Sequence, residues 1–343
     1  MSLRTTLRAL VNGDVVTPNF TPPSEPWKLE HKPSTTEADI YYCFRLLLNR
    51  SPGAEEWKGH SSRVGEELSS VVGSYCQSRE FLQRGLTRQA LVTELCCTEI
   101  FGFKIYTDGT DLSVGKHIRN GGYESNVAEV FKRLVQPGWN VIDIGANVGY
   151  YSLLSASLVG PSGSVLGVEP NPRNIRLLEA SRRLNDISWL TLIQVAAGRA
   201  PGILVLNTSH SNGTATAPFL NTDDFLASET IACVPIDALI SDEGPIHFIK
   251  VDVEGAEYNA LFGCQKIIAR DHPVIVSEFS PNAMPSISGI RGEEYLSWLV
   301  AKGYRLGVIL ADGQTTALSA NTGDIMRAFA TSGVDHIDII AQT

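Results

Sequence analysis

The sequence predicts an α/β fold in which a doubly wound, mostly parallel sheet follows a small α-helical domain. From about residue 140, short apolar runs alternate with helical patterns, as in parallel sheets with helices on both faces. A Gly-rich turn follows the first of these runs, whereas the preceding region shows mainly helical spacing. We therefore expect residues 1–38 to form a proline-rich arm or linker, residues 39–95 a helical domain, and residues 96–343 the sheet domain.

The composition excludes several classes of protein. The chain has 343 residues, of which 43% are hydrophobic and 19% charged, so wholesale disorder and fibrous structure are excluded. A net charge of −9 argues against a large nucleic-acid interface. No apolar run has the roughly 18 residues of a membrane span, no signal peptide is recognisable, and the six cysteines form no CxxC pair. We expect a cytoplasmic protein with no nucleic-acid partner, no membrane span and reduced thiols.

The first part of the chain predicts an extended arm and a short helical bundle. Five prolines lie between residues 12 and 38, where neither helical nor strand periodicity is present. Helical spacing begins near Thr36, stops at residues 51–53 (Ser-Pro-Gly), and resumes at Leu68. The bundle has no cluster of acids, His or Cys with ligand spacing. We expect it to serve in structure or interaction, for example as a homodimer surface.

The sheet domain is predicted element by element from its apolar runs. A β-hairpin is expected over residues 103–114. The predicted strands of the main sheet are 141–145, 164–169, 190–197, 246–255 and 273–279, closed by 305–309 and 338–343. An inserted hairpin is predicted to pair 203–207 with 232–236. The predicted helices between these strands are 150–159, 171–185, 258–268 and 293–304.

Polar residues and glycines follow the first two predicted strands, where ligands of such sheets bind. Asp143, Gly145, Asn147 and Gly149 lie in or after the first strand, and Glu169 ends the second. Glycines allow close backbone approach, and a carboxylate there suits the two hydroxyls of a ribose. The turn and the acid together indicate a nucleoside cofactor. Tight packing of the glycines and a helix N-terminal role for the acid are the structural alternatives.

Three segments carry a family resemblance, in the order VIDIGANVGYYS (141–152), VLGVEPNP (165–172) and IKVDVEGAE (249–257). They resemble the FkbM family of class I S-adenosylmethionine-dependent methyltransferases, and the resemblance runs from about Gly121 to Pro281. It implies a Rossmann-like methyltransferase sheet, S-adenosylmethionine as cofactor and S-adenosylhomocysteine as product. In the helical domain, LLLNRSPGAEEW (46–57) and SREFL (78–82) resemble DUF4214 domains, which accompany polysaccharide-linked or glycosyltransferase-type proteins.

The resemblance also implies roles for residues that match the family motifs. The residues expected at the methionine end of the cofactor are Asp143, Gly145, Asn147 and Gly149. Those expected around its nucleoside are Glu169 on the ribose, Asn171 beside the adenosine, and Ala196 or Ala197 beside the adenine. Tyr123 and Glu124 match a family position close to the cofactor. The sequence departs from the family at Gly198-Arg199, where a small or acidic follow-on is usual.

The end of the fourth predicted strand offers candidate catalytic carboxylates. Strand alternation gives Lys250, Asp252 and Glu254 one direction, and carboxylates there are costly unless solvated, paired or functional. A hydroxyl that accepts a methyl group loses a proton, so a nearby base helps. We expect Asp252 to be this base, with Glu254 and then Glu278 as further candidates. Simple pairing of Lys250 with Asp252, and a Mg²⁺ site formed by the three carboxylates, are alternatives.

The resemblance implies methyl transfer to a small-molecule, sugar or peptide acceptor. The first expectation is O-methylation of a hydroxyl on a sugar or natural-product scaffold. N-methylation of a peptide or amine would use the same cofactor pocket. Two readings come from other classes: a non-catalytic partner-binding protein that keeps the fold, and a nucleotide-binding oxidoreductase or epimerase. The missing G-x-G-x-x-G spacing argues against the last of these.

Overall fold

The computed structural model describes residues 32–84, 95–209, 212–216, 229–240 and 244–343. The expected proline-rich arm therefore lies outside the described residues as far as residue 31. The chain divides into two units, Met1–Thr93 and Glu94–Thr343, each with its own internal contacts. Within the described residues, no helix is both long enough and apolar enough to cross a bilayer.

The first unit is a small bundle of short helices. They are α1 (Glu37–Tyr42), a π-helical turn (Cys43–Leu47), α2 (Ala54–Ser61), α3 (Leu68–Cys76) and α4 (Arg79–Arg84). Its buried side chains, which are mainly aromatic and aliphatic, are Ile40, Cys43, Phe44, Leu48, Val71, Tyr75 and Phe81. Arg50 joins the helices, because its guanidinium bonds both Glu56 and Glu80. The bundle is thus held by a small core and by the ion pairs of Arg50 with Glu56 and Glu80.

The second unit alternates strands and helices along the chain. Its helices are α5 (Val114–Arg119), α6 (Ser125–Leu134), α7 (Tyr150–Val159), α8 (Pro172–Leu184), α9 (Glu257–Phe262), α10 (Gln265–Asp271), α11 (Met284–Ile287), α12 (Gly292–Ala301) and α13 (Thr322–Ser332). Its strands are β1 (Leu95–Ile100), β2 (Phe103–Asp108), β3 (Asn140–Ile144), β4 (Ser164–Val168), β5 (Leu190–Ile193), β6 (Ala196–Ala197), β7 (Gly202–Ser209), β8 (Asn212–Thr216), β9 (Glu229–Val234), β10 (Phe248–Val251), β11 (Val274–Phe279), β12 (Arg305–Val308) and β13 (Ile337–Gln342).

Seven of these strands form the central sheet in the order β12-β13-β11-β10-β3-β4-β5. Neighbours from β11 to β5 are parallel, and only β13 runs against its neighbours. One apolar core packs α6, α7 and α8 on the sheet, and a second packs α9, α10, α12 and α13. The predicted doubly wound, mostly parallel fold is confirmed. Successive strands are added from β3 towards β5 and later from β10 towards β11, so the switch point of the sheet lies between β3 and β10.

Three predicted elements differ from the structure. The hairpin turns at Phe101 and Gly102, so it joins β1 to β2 and lies before the expected position. The third strand is interrupted after Ile193, because β6 leaves the main sheet and pairs with β9 in a separate four-stranded sheet. The helix expected over 258–268 is broken at Gly263, which separates α9 from α10. Apolar periodicity alone did not reveal where the hairpin turns, where the third strand changes sheet or where the helix breaks.

Two glycines of the β3–α7 turn have positive φ and leave no room for a side chain. A Cβ on Gly145 (φ +82°) would lie 1.8 Å from the backbone oxygen of Asp252. A Cβ on Gly149 (φ +97°) would lie 2.1 Å from Cδ1 of Leu178 on α8. Gly145 therefore brings the turn against the end of β10, whereas Gly149 allows α7 to pack on α8.

Replacing Gly149 with Ala is expected to destabilise the fold more than the same change at Gly303. Both glycines have nearly the same φ, but a Cβ on Gly303 meets nothing within 4 Å. The left-handed conformation costs both variants about 1–2 kcal/mol. Overpacking against Leu178 should cost Gly149→Ala about 1–3 kcal/mol more. Urea unfolding of the two variants measures the difference, and equal losses would contradict the assigned packing role.

Candidate functional site

A cleft of about 590 Å³ lies at the carboxyl ends of the parallel strands, next to the switch point between β3 and β10. It collects most of the residues that the sequence predicted for the site. Those that line it are Tyr123, Glu124, Gly145, Asn147, Glu169, Asn171, Ala196, Ala197, Asp252, Glu254 and Glu278. The cleft therefore unites residues from β4, β6 and β11 with those of the turns that follow β3 and β10.

Asp143 and Gly149 do not line this cleft. Asp143 is 1% exposed, and its Oδ2 accepts a hydrogen bond from the Ser152 hydroxyl at 2.6 Å. Its other oxygen, Oδ1, has no hydrogen-bond partner among the residues that the structure describes. Burial raises the pKa of Asp143, and the Lys250 ammonium opposes that rise. The structure thus places Asp143 beneath the turn and Gly149 against α8.

Glu169 directly follows β4 and accepts hydrogen bonds from the loops that follow β3 and β4. Its Oε2 accepts the N–H of Asn147, and its Oε1 accepts the N–H of Asn171, both at 2.8 Å. Burial raises the pKa of Glu169 to about 7, although these two hydrogen bonds oppose the rise. A carboxylate has about four lone-pair positions, so Glu169 can accept further hydrogen bonds from a ligand in the cleft.

Three residues of the cleft adopt left-handed backbone conformations that are uncommon outside glycine. Their φ values are +36° for Glu124, +50° for Asn147 and +54° for Glu254. Such conformations cost free energy and concentrate at functional sites. For Glu254 there is a second consequence. β10 already ends at Val251, so strand alternation no longer fixes the direction of Glu254.

Lys250 and Asp252 form a buried ion pair beside the cleft. The Lys250 ammonium lies 2.9 Å from Oδ2 of Asp252 and 4.6 Å from the centre of the Tyr151 ring. Burial would raise the pKa of Asp252, but the ammonium outweighs it and holds the pKa below its usual value. Burial would lower the pKa of Lys250, but Asp252 and Glu124 raise it. The pair therefore stays ionised at neutral pH.

Glu278 has the opposite electrostatic environment. Burial and then the charge of Asp252 raise the pKa of Glu278 to about 10, so this carboxyl is protonated at neutral pH. In the antiparallel pairing of β11 with β13, Glu278 lies directly opposite Asp338. Burial followed by Glu124 raises the pKa of Asp338 to about 7.

The structure also brings to the cleft residues that sequence reasoning did not select. Further polar residues that line it are Ser113, His117, Arg199, Asn259, Ser286 and His336. Leu204, Leu206 and Cys233 of the four-stranded sheet add an apolar wall. In sequence, Arg199 was visible only as a departure from the family pattern. His336 lies far from the motifs along the chain, and no local signal identifies it.

Glu257 illustrates a further contact that sequence spacing did not reveal. Its side chain is fully buried, and its Oε1 accepts the N–H groups of Gly255 and Val253, at 2.9 and 3.1 Å. It therefore closes the turn after β10. Within the described residues, no group of three or more His, Cys, Asp or Glu side chains is arranged to hold a metal ion.

Residues 143–306 match the family model described as the Methyltransferase FkbM domain. A segment of 73 residues, 21% of the chain, is 33% identical to the protein-L-isoaspartate O-methyltransferase of Triticum aestivum, and it covers 31% of that protein. The chain thus spans about a third of this curated relative.

Two of the solved structures to which the chain is similar are the following. The methyltransferase FkbM of Methylobacillus flagellatus KT is 18% identical, with a TM-score of 0.37 over 62% of this chain and 50% of that chain. TYW2 of M. jannaschii, in complex with AdoMet, is 15% identical, with a TM-score of 0.41 over 72% of this chain and 85% of that chain. The resemblance of the helical unit to DUF4214 domains stays a prediction.

The buried Glu169 is expected to make stability depend on pH. The unfolded chain loses this proton near pH 4.5, whereas the folded chain keeps it until about pH 7. The contribution of Glu169 is therefore full below about pH 4.5 and is lost as the pH rises through 7. Glu169→Gln should remove up to about 1.4 kcal/mol per pH unit from the slope of unfolding free energy between pH 5 and 7.

Denaturant unfolding of the ligand-free protein at several pH values measures this slope. Glu179→Gln is the matched control, because the pKa of Glu179 is lowered to about 2 by its bonds to Arg182. Glu179 titrates below the tested range in both states, so this variant should keep the slope of the parent protein. The same slope in Glu169→Gln and the parent would contradict the assigned environment.

Proposed function

We propose, from the methyltransferase FkbM domain at residues 143–306, that the chain is an S-adenosylmethionine-dependent methyltransferase whose acceptor is a hydroxyl group. The observation that carries the proposal is the position of Glu169. Glu169 directly follows β4, accepts a hydrogen bond from the N–H of Asn147 in the Gly-rich turn, and lines a cleft beside the switch point. A carboxylate so placed suits the ribose hydroxyls of a nucleoside cofactor.

The other residues of the cleft fit the remaining parts of the cofactor. Gly145 and Asn147 would bind its methionine end, with Tyr123 and Glu124 close by. Asn171 caps α8 through a 2.9 Å bond from the N–H of Arg173, and it lines the cleft, which supports the expected role beside the adenosine. The bound cofactor supplies an activated methyl group on a sulfonium, so the chain's own residues need only align the acceptor and take up its proton.

Asp252 is the residue that we assign to the acceptor proton. The Lys250 ion pair keeps Asp252 ionised, and Asp252 lines the cleft. Asp252 would take up the hydroxyl proton as the acceptor oxygen gains the methyl group that the bound cofactor would supply. Glu278 keeps its own proton and lies beside Asp252, which supports it as a hydrogen-bond donor to that carboxylate. Sugar and natural-product hydroxyls are the acceptors that we expect.

Calorimetric titration with S-adenosylmethionine and S-adenosylhomocysteine tests the cofactor pocket. The parent protein should bind both, and NADH should not bind. Glu169→Ala removes charge-assisted hydrogen bonds worth about 1.5–3 kcal/mol each, so it should weaken binding roughly tenfold to a hundredfold or more. Asn147→Ala should also weaken it. Glu179→Ala, on the outer surface of α8, is the control. Undiminished affinity in the first two variants would exclude the assigned pocket.

Transfer of a labelled methyl group to a panel of sugars and phenols tests the assignment of Asp252. Asp252→Asn should lower kcat about a hundredfold or more, as for loss of a general base, with little change in cofactor affinity. Glu278→Gln retains a donor, so its loss should be smaller. Circular dichroism checks that both variants fold. Tight cofactor binding without turnover of any acceptor would favour the partner-binding alternative.

A further inference from the structure

The charges that line the cleft are distributed unevenly. Carboxyl groups from four segments face it, namely Glu124, Glu169, the pair Asp252 and Glu254, and Glu278. Arg199 is the one lysine or arginine among the described residues that line the same cleft. A single fixed cation in a cleft lined by several carboxyl groups can orient a ligand that has unlike ends.

Arg199 is held in place by its neighbours on α9. Its guanidinium carbon lies 4.5 Å from the ring centre of Tyr258 and 5.3 Å from that of Phe262. Its Nε donates to Oδ1 of Asn259 at 2.6 Å, and one terminal nitrogen donates to the Ser288 carbonyl at 3.3 Å. Stacking and two hydrogen bonds fix a side chain that would otherwise have many rotamers.

These hydrogen bonds leave the charge of Arg199 without an ion pair within the described part of the chain. Its acceptors are an amide oxygen and a backbone carbonyl, both of which are neutral. Arg50, by contrast, bonds two carboxylates at once. A guanidinium that is fixed, unpaired and open to a cleft is suited to bind a carboxylate or a phosphate through two parallel N–H bonds.

The position of Arg199 favours the acceptor rather than the cofactor as the source of that anion. The expected contacts of the cofactor carboxylate are at Gly145 and Asn147, in the β3–α7 turn. Arg199 instead follows β6 and contacts α9, whose first turn directly follows the segment that contains Asp252. Asn259 and Ser286, which also line the cleft, lie on this wall with it.

We propose that Arg199 selects acceptors that carry a carboxylate or a phosphate in addition to the hydroxyl that receives the methyl group. The anion binds at Arg199, and the hydroxyl-bearing part of the acceptor extends towards Asp252. This inference rests on the proposed methyltransferase function, since it concerns the acceptor of the same cleft. It makes Arg199 a specificity-determining residue.

Probes that share a scaffold, and of which one member carries an anionic group, test the proposal. Glucose is compared with glucuronate and with glucose 6-phosphate, and 4-hydroxybenzamide is compared with 4-hydroxybenzoate. Each is titrated by calorimetry into the full chain, with and without saturating S-adenosylhomocysteine. An anionic member should bind about ten to a hundred times more tightly than its neutral counterpart. The glucuronate and phosphate arms distinguish the two anions.

Variants of Arg199 identify the group responsible. Arg199→Gln should abolish the preference for the anionic probe, and Arg199→Lys should restore part of it, because an ammonium keeps the charge but lacks the planar fork. Arg305→Gln is the matched control. Arg305 is exposed, donates to the Leu318 carbonyl and does not line the cleft. All three variants should keep the affinity of the parent protein for S-adenosylhomocysteine.

Three results would overturn the inference. The first is equal affinity for the charged and neutral members of every pair, including a lack of binding by all of them. The second is a preference that survives in Arg199→Gln. The third is a loss of S-adenosylhomocysteine affinity in Arg199→Gln, which would assign the guanidinium to the adenine instead. Failure of the parent protein to bind the cofactor would contradict the proposed function, and the probe titrations without cofactor would report on Arg199 separately.

Discussion

The cleft depends on the close approach of the β3–α7 turn to the end of β10. The amide of Asp252 donates to the Ile144 carbonyl at 3.0 Å, and the space for a Cβ on Gly145 is already occupied by the backbone of Asp252. At this switch point, successive strands are added in opposite directions, so the connecting helices lie on opposite faces and leave a crevice between them. Glu169 then fixes the outer side of the turn by accepting the Asn147 amide. The positions of the cofactor-binding and acceptor-binding groups follow from these backbone contacts.

Electrostatics divides the carboxyl groups of the cleft into different protonation states. Asp252 is ionised because its partner is a buried ammonium, whereas Glu278 keeps a proton because of its burial and the charge of Asp252. Two identical functional groups in one cleft thus acquire different chemistry from their surroundings, as in many acid–base sites.

The four-stranded sheet and α9 contribute one part of the cleft wall. Leu204, Leu206 and Cys233 of this sheet form an apolar surface. β6 pairs with β9, and Arg199, which follows β6, lies on the aromatic rings of α9. In folds of this kind, function depends on the residues of the site rather than on the sheet itself.

Much of the fold could be predicted from the sequence, because strand alternation and the Gly-rich turn are local patterns. Most of the residues selected from the sequence, Glu169 among them, line the cleft, and their roles stay predictions. The break of the third strand and the contribution of His336 could not be predicted, since each depends on a partner far away in the chain. Sequence placed Asp252 and Glu278 near the ends of two strands, and only the sheet order made them neighbours. By itself, then, the sequence determined the alternation of strands and helices, whereas the tertiary structure decided where β5 and β10 end. The tertiary structure also decided which carboxyl groups are charged, because protonation depends on burial and on neighbours that folding alone brings together.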